Sequence, residues 1–250
     1  MKNPPHRIHP TWRRERARSG FTLVEILVVI IIISVLAVLL FTLIRRAKNS
    51  ANSVSCLNRL KQAGALLISS ASENNGRLEL FRGGNGNFAF RPYFVVLEEL
   101  DVPPTLSDAA KTEVMRGLFS CPGAAGTGFS HWNCYGINFT SSARADVTWQ
   151  SETLKDGGGR SGNISVLRLS NAGNPADYPL VADSCTGNGA QIFRILGSDR
   201  IGLRHQGKAN AAFLDGSARS LDRSELGKLG FAQAYDISST PPELIDLSKR

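Results

Sequence analysis

The 250-residue sequence predicts an α+β chain: a long N-terminal helix, membrane-spanning in its first half, packed on a mostly antiparallel β-sheet domain. Residues 21–44 are almost wholly apolar, with Glu25 as the single charge. Residues 45–73 continue without proline and repeat apolar side chains at spacings of three and four, a helix with one buried side. After Gly76 short apolar runs alternate with Gly, Asn, Ser and Pro, the texture of strands and turns. A helical block followed by a block of strands is the α+β order.

The chain opens on a basic segment. Lys2, Arg7, Arg13, Arg14, Arg16 and Arg18 against Glu15 give residues 1–20 a charge of +5 out of the net +8, leaving +3 for everything else. So small a remainder argues against a dedicated nucleic-acid binder. The apolar segment that follows has 24 residues. At about 1.5 Å per residue it reaches roughly 36 Å, enough for a hydrocarbon core of about 30 Å. It has no polar face, as a soluble helix would. Arg45, Arg46 and Lys48 close it, but the denser basic cluster lies before it, so the N-terminus is expected in the cytoplasm and residues beyond about 48 outside the inner membrane. An ordinary secretory signal fits less well. The run exceeds the usual 7–15 residues, and no A-x-A-like site follows.

The helix is expected to continue past the lipid. Val54, Leu57, Leu60, Leu67 and Ile68, with Gly64 and Ala71, mark its buried side, and Asn74-Asn75-Gly76 stops it. Candidate strands follow at Phe88–Phe90, Tyr93–Leu97, Ile164–Leu169, Leu180–Ala182, Gln191–Leu196, Ala211–Leu214 and Ala218–Leu221, with a short helix near Leu106–Leu118. Asp215-Gly216 between two such runs predicts a hairpin turn. The organisation expected is a leader at 1–20, an apolar helix at 21–44, its amphipathic continuation at 45–75, a β-rich extracytoplasmic domain at 76–237 and a loosely tied tail at 238–250.

Gly20-Phe21-Thr22-Leu23-Val24-Glu25, at the end of a basic leader, resembles the cleavage and methylation signature of type IV prepilins and type II secretion pseudopilins. The resemblance implies that prepilin peptidase cuts between Gly20 and Phe21 and methylates the new amine. It also implies a pilin-like fold, assembly with other pilin subunits, and an assembly role for Glu25. Further segments are similar to one branch of that family. Cys56-Leu57-Asn58-Arg59-Leu60-Lys61-Gln62 resembles its "CxxNLKQ" segment, with Asn58 one place early. Cys121-Pro122 and Tyr135-Gly136-Ile137-Asn138 resemble "CP…YGxN". His205 and Asp215-Gly216, nine residues apart, resemble its C-terminal "H-x9-DG" element. Thr42 stands where many major pilins place proline, a departure from the major-subunit pattern.

Glu25 also admits a physical account. A cut after Gly20 creates an amine at Phe21, four residues before Glu25 and on the same helical face. Amine and carboxylate can neutralise each other, within one subunit or between staggered neighbours. Desolvation makes such a pair a poor source of stability but a good register device, since a misaligned subunit buries an uncompensated charge at a cost of several kcal/mol.

Four cysteines allow three full pairings. Cys121 and Cys134 enclose twelve residues and could form a local disulfide in an oxidising compartment, while Cys56 and Cys185 could pair or stay free. No C-x-x-C occurs. Gly202–Ala209 nearly spells a phosphate loop, but Ala209 stands where Ser or Thr must hold Mg²⁺, and a strand rather than a helix should follow. Asp183, Ser184, His205 and Asp215 raise a hydrolase triad, yet no G-x-S-x-G elbow surrounds Ser184. The alternative is that His205, Asp215 and Gly216 are structural, fixing loops around a hairpin. No catalytic residue, metal or cofactor is expected. Asp183, Asp199 and Asp215 offer oxygen ligands for calcium, but their spacing matches no calcium motif. The sequence thus points to a non-enzymatic filament subunit of a secretion pseudopilus or type IV-like pilus, in contact with inner-membrane lipid and not with nucleic acid. The alternative is an extracytoplasmic binding or enzymatic domain on a permanent single-pass anchor.

Overall fold

The computed structural model describes residues 22–79, 81–84, 87–90, 95–97, 99–103, 105–124, 129–130, 133–140, 142, 145–155, 161–198 and 200–248. The chain divides into two units, residues 1–45 and 46–250. Helix α1 (Leu23–Glu73) supplies the described part of the first unit and opens the second. From Leu23 to Ile44 its large apolar side chains are exposed, and it is long and apolar enough to cross a membrane. Aliphatic surface on all sides of a helix suits lipid or other helices rather than water.

In the second unit α1 buries Cys56, Leu60, Ala63, Gly64, Leu67 and Ala71. Spacings of three and four put these on one face. The stripe differs from the sequence expectation at its start. Val54 is 57% exposed, and Cys56 takes the inward position. Small residues explain the closeness of the contact: a Cβ on Gly64 would lie 3.0 Å from the Ala212 Cβ. The helix ends as its sequence foretells. Asn75 takes a positive φ of 53°, and the Gly76 N–H returns to the Ala71 carbonyl at 2.7 Å.

The strands are β1 (Arg77–Glu79), β2 (Phe81–Gly84), β3 (Asn87–Phe90), β4 (Gly136–Asn138), β5 (Gln150–Lys155), β6 (Ser161–Arg168), β7 (Pro179–Ala182), β8 (Ser184–Cys185), β9 (Arg194–Ile195), β10 (Arg200–Leu203), β11 (Ala209–Phe213), β12 (Ala218–Leu221), β13 (Gln233–Asp236) and β14 (Glu243–Asp246). Helices α2 (Asp108–Phe119) and α3 (Arg223–Lys228) lie among them, with short 3-10 turns at Pro122–Ala124, Leu169–Asn171 and Pro175–Asp177. Among the described residues the strands form sheets ordered β12-β11-β7-β4-β9, β14-β13-β10-β8, β1-β6-β5 and β2-β3. Pairing is antiparallel except at β4–β9 and β10–β13, so the fold is α+β with mixed sheets.

The five-stranded sheet is apolar on both faces. Ala212 and Val181 join the core that holds the α1 stripe, Met115 and Phe119, whereas Ala211 and Phe213 join a second core with Leu226, Leu229 and Ala234. This two-sided burial is why β11 reads as a continuous small-apolar run. Ser107 caps α2 by accepting from the Ala110 N–H, and Asp222 with Glu225 forms a capping box on α3.

Three expectations need correction. Tyr93–Leu97 is not a strand: residues 95–97 are helical and buried, and 93–94 lie outside the described residues. Gln191–Leu196 contributes only the two-residue β9. The tail is not loose, because Glu243–Asp246 pairs antiparallel with β13. β14 is an edge strand with Glu243, Leu244 and Asp246 exposed, so it is held by backbone pairing more than by burial, which leaves no apolar pattern to read.

Candidate functional site

Two places carry the candidate residues. At the start of α1, Gly20 and Phe21 lie outside the described residues, but Glu25 is placed. Thr22 is the residue before the helix, and Glu25 is its third residue. The Thr22 N–H and hydroxyl donate to Glu25 Oε2 at 2.8 and 2.9 Å, and the Glu25 N–H donates to Thr22 Oγ1 at 3.2 Å. This reciprocal cap satisfies donors that the first helical turn leaves free. The T-x-x-E spacing announces it in the sequence, a signal the charge-pair reading of Glu25 passed over.

The second place is buried in the domain. Cys56, Cys121, Asp183 and His205 are 0%, 2%, 0% and 6% exposed, and one donor atom from each lies within 4.8 Å of the others. They come from distant parts of the chain. Cys56 is on α1; Cys121 follows α2; Asp183 separates β7 from β8; His205 lies in the turn between β10 and β11. Backbone pairing fixes Asp183 on both sides, its N–H donating to the Asn210 carbonyl and its carbonyl accepting from the Gly202 N–H. Cys121 is held by its N–H on Gln191 Oε1 at 3.1 Å. The β10–β11 turn closes by reciprocal His205 and Lys208 backbone bonds.

The donors meet closely. The Cys56 thiol is 3.3 Å from Asp183 Oδ1 and 3.6 Å from Oδ2. His205 Nε2 is 3.2 Å from Asp183 Oδ2 and 3.4 Å from Cys121 Sγ. The Asn210 N–H donates to the same Oδ2 at 2.9 Å, and the Gly123 N–H to Cys121 Sγ at 3.3 Å. Burial pushes the Cys56 thiol up, and the Cys121 hydrogen bond and Asp183 charge push it further. Cys121 is drawn down, chiefly by its hydrogen bond with Cys56 and against burial. Burial works to lower His205, but hydrogen bonds and charge from Asp183 and Cys121 outweigh it and raise the imidazole to about 10. A carboxyl group at 0% exposure needs such partners, since a buried polar group without them costs free energy.

This is not a cysteine-protease relay. There the thiol and the orienting carboxylate use opposite ring nitrogens. Here both contacts fall on Nε2. Nor does the apolar pocket of about 480 Å³ beside Tyr178, Ile195 and Phe231 include any of the four.

The remaining candidates go elsewhere. Ser184 Oγ donates to the Cys134 and Ile192 carbonyls, so it completes no triad with His205. His205 and Asp215 sit beyond opposite ends of β11. Asp215 Oδ1 accepts from the Ser217 N–H at 2.9 Å and its hydroxyl at 2.7 Å, and Gly216 takes a φ of 83°, forming the β11–β12 turn. Cys121 and Cys134 are not joined in a disulfide, and the Cys134 thiol is directed at the Tyr135 carbonyl, 3.5 Å away. Cys185 is likewise in no disulfide, and its thiol donates to the Thr186 carbonyl at 3.0 Å. Of the carboxylates weighed for calcium, Asp199 lies outside the described residues, and Asp183 and Asp215 have the separate partners given above. Gly202–Ala209 runs from strand through turn to strand, with no helix to receive a phosphate.

Residues 16–44 match the family model described as the prokaryotic N-terminal methylation motif. No curated protein and no solved structure matches the chain.

Proposed function

The chain carries a prepilin-type N-terminal methylation motif ahead of a long apolar helix, and from that premise of a pilin-like, peptidase-processed protein we propose that it is a structural subunit of a secretion pseudopilus or type IV-like filament. The observation that carries the proposal is the single carboxylate, Glu25, at the head of the otherwise uncharged apolar segment 21–44. A permanent anchor gains only a helix cap from that carboxylate. A helix that leaves lipid to pack against its neighbours gains a register mark. The subunit rests as a single span with its N-terminus cytoplasmic and its domain outside, performs no reaction, and passes the exposed surface of residues 23–44 from lipid to neighbouring helices.

The Thr22 cap refines the part played by Glu25. Cleavage after Gly20 spares the Thr22 N–H and hydroxyl, so Oε2 stays engaged after processing. Oε1 is then the oxygen left to meet an N-methylated Phe21 amine of the same or a neighbouring subunit. Mass spectrometry of the protein from host membranes should find residues 1–20 removed and Phe21 methylated. An intact leader in cells that contain the peptidase rules the filament subunit out. Glu25→Ala should insert normally yet lose incorporation into filaments. Equal incorporation rejects the register role.

A further inference from the structure

Asp183 and His205 are polar groups that a purely apolar core has no need of, yet both are buried against two buried sulfurs. We infer that Cys56, Cys121, Asp183 and His205 form a tetrahedral transition-metal site, whose ion is zinc. The donor set is two sulfurs, one imidazole nitrogen and one carboxylate oxygen, the ligand types and number of closed structural zinc centres. Calcium and magnesium take oxygen ligands instead, and two cysteines with one histidine complete neither the four-cysteine set nor the two-cysteine, two-histidine set of iron–sulfur clusters.

The spacing of the donors agrees with one central ion. Bonds of about 2.3 Å to sulfur and about 2.0 Å to nitrogen or oxygen place tetrahedral ligands roughly 3.5 Å apart for sulfur with nitrogen or oxygen, and roughly 3.3 Å for nitrogen with oxygen. With Oδ2 as the carboxylate ligand, the distances are 3.6 Å from Cys56 Sγ to Oδ2, 3.4 Å from Cys121 Sγ to His205 Nε2, and 3.2 Å from Nε2 to Oδ2. Three contacts between unlike donors thus fall at the edge lengths of such a tetrahedron. Outer contacts of the kind that orient ligands are also in place. The Asn210 N–H holds Oδ2, and the Gly123 N–H points at the Cys121 sulfur. Binding displaces to solvent the protons that the two sulfurs and His205 Nε2 carry in the metal-free site, and the lone pairs so freed go to the ion. Two thiolates and one carboxylate then face a divalent cation, which neutralises most of their charge in the buried site.

The same two sulfurs could instead oxidise to a Cys56–Cys121 disulfide. That bond would leave the carboxylate and imidazole converging on nothing that needs them, which is why the metal is favoured. The inference is independent of the filament reading, since a permanently anchored domain could hold the same ion.

Full-length protein, extracted in detergent and passed through metal-free buffer, should contain stoichiometric zinc. Exchange for Co(II) should give the sulfur-to-cobalt charge-transfer band and the intense visible bands of tetrahedral cobalt. Cys56→Ser and His205→Ala should each lose the ion at least tenfold in affinity. Cys185→Ser, whose sulfur is engaged elsewhere, should retain it. Zinc that is absent as isolated and cannot be loaded after thiol reduction overturns the site. So does zinc held equally by the Cys56→Ser protein, or a Cys56–Cys121 cross-linked peptide in the mass map of the isolated protein. Where a substituted chain fails to fold, the cobalt spectrum of the unsubstituted protein decides: bands without sulfur charge transfer, or without tetrahedral intensity, reject the assignment.

Discussion

The Asp236 carboxylate accepts from the Ser238 N–H and hydroxyl at 2.9 and 2.7 Å, and from Arg223. The Ser238 bonds, with the Arg223 charge behind them, hold it below the usual carboxylate range. The sign of its pH effect follows. A carboxyl depressed in the folded state stabilises the fold above its unfolded pKa of about 3.9, and that contribution fades as pH falls through the folded value. Asp236→Asn should therefore lower stability at pH 7 and change it little at pH 2, as read from denaturant unfolding at both pH values. Equal losses at the two would assign the effect to packing. At this scale the sequence was readable where a residue acts within its own neighbourhood. Asp215-Gly216 announced its turn, and T-x-x-E announced the cap. The convergence of Cys56, Cys121, Asp183 and His205 was not readable, because four segments must fold before those side chains meet. Cys56, Cys121 and His205 do each lie in a segment singled out by resemblance, which marked the members without their meeting point.

Among elements, the amphipathic half of α1 was legible from its period and its stop, but its angular setting was off by the exchange of Val54 for Cys56. Periodicity counts large apolar residues. The contact with the five-stranded sheet prefers small ones, so Cys56 and Ala63 were left out of the stripe while Gly64 and Ala71 were placed in it. Gly64→Leu should destabilise the domain by at least about 1–3 kcal/mol through overpacking against Ala212 and Val181, seen as a lowered thermal midpoint. An unchanged midpoint would show that the helix can lift from β11. Across the β1–β6–β5 sheet, Arg77 stands opposite Arg168, and Glu152 bridges both at 2.7 and 3.0 Å. Like charges opposed across strands repel, and partly exposed pairs contribute little singly. Glu152→Gln should thus cost about 1 kcal/mol, and adding Arg168→Gln should recover part of it in a double-mutant cycle. Short strands were the elements least legible. β8 and β9 have two residues each, too few for alternation to register, and are set by neighbours remote in sequence.

For the whole molecule, the change in texture after residue 44 corresponds to two units that meet at residues 45 and 46. Among the described residues, both hydrophobic cores draw on positions from Cys56 onward. A chain beginning at Arg46 should accordingly remain soluble without detergent and unfold cooperatively. Aggregation of that fragment would mean the apolar half of α1 contributes to folding beyond anchoring.

The stem of the domain is also a mechanical joint. Asn210 Nδ2 grips the Ser53 carbonyl at 3.0 Å, Cys56 meets Asp183, and Arg59 reaches the Ser120 carbonyl at 2.8 Å, all ahead of the apolar stripe from Leu60 to Ala71. Tension applied through the N-terminal end of α1 is carried first by these short-range, directional contacts. Apolar contacts yield by sliding, whereas directional ones must break together before the helix can shear. A pull along the stem would therefore load these directional contacts before it reaches the apolar stripe.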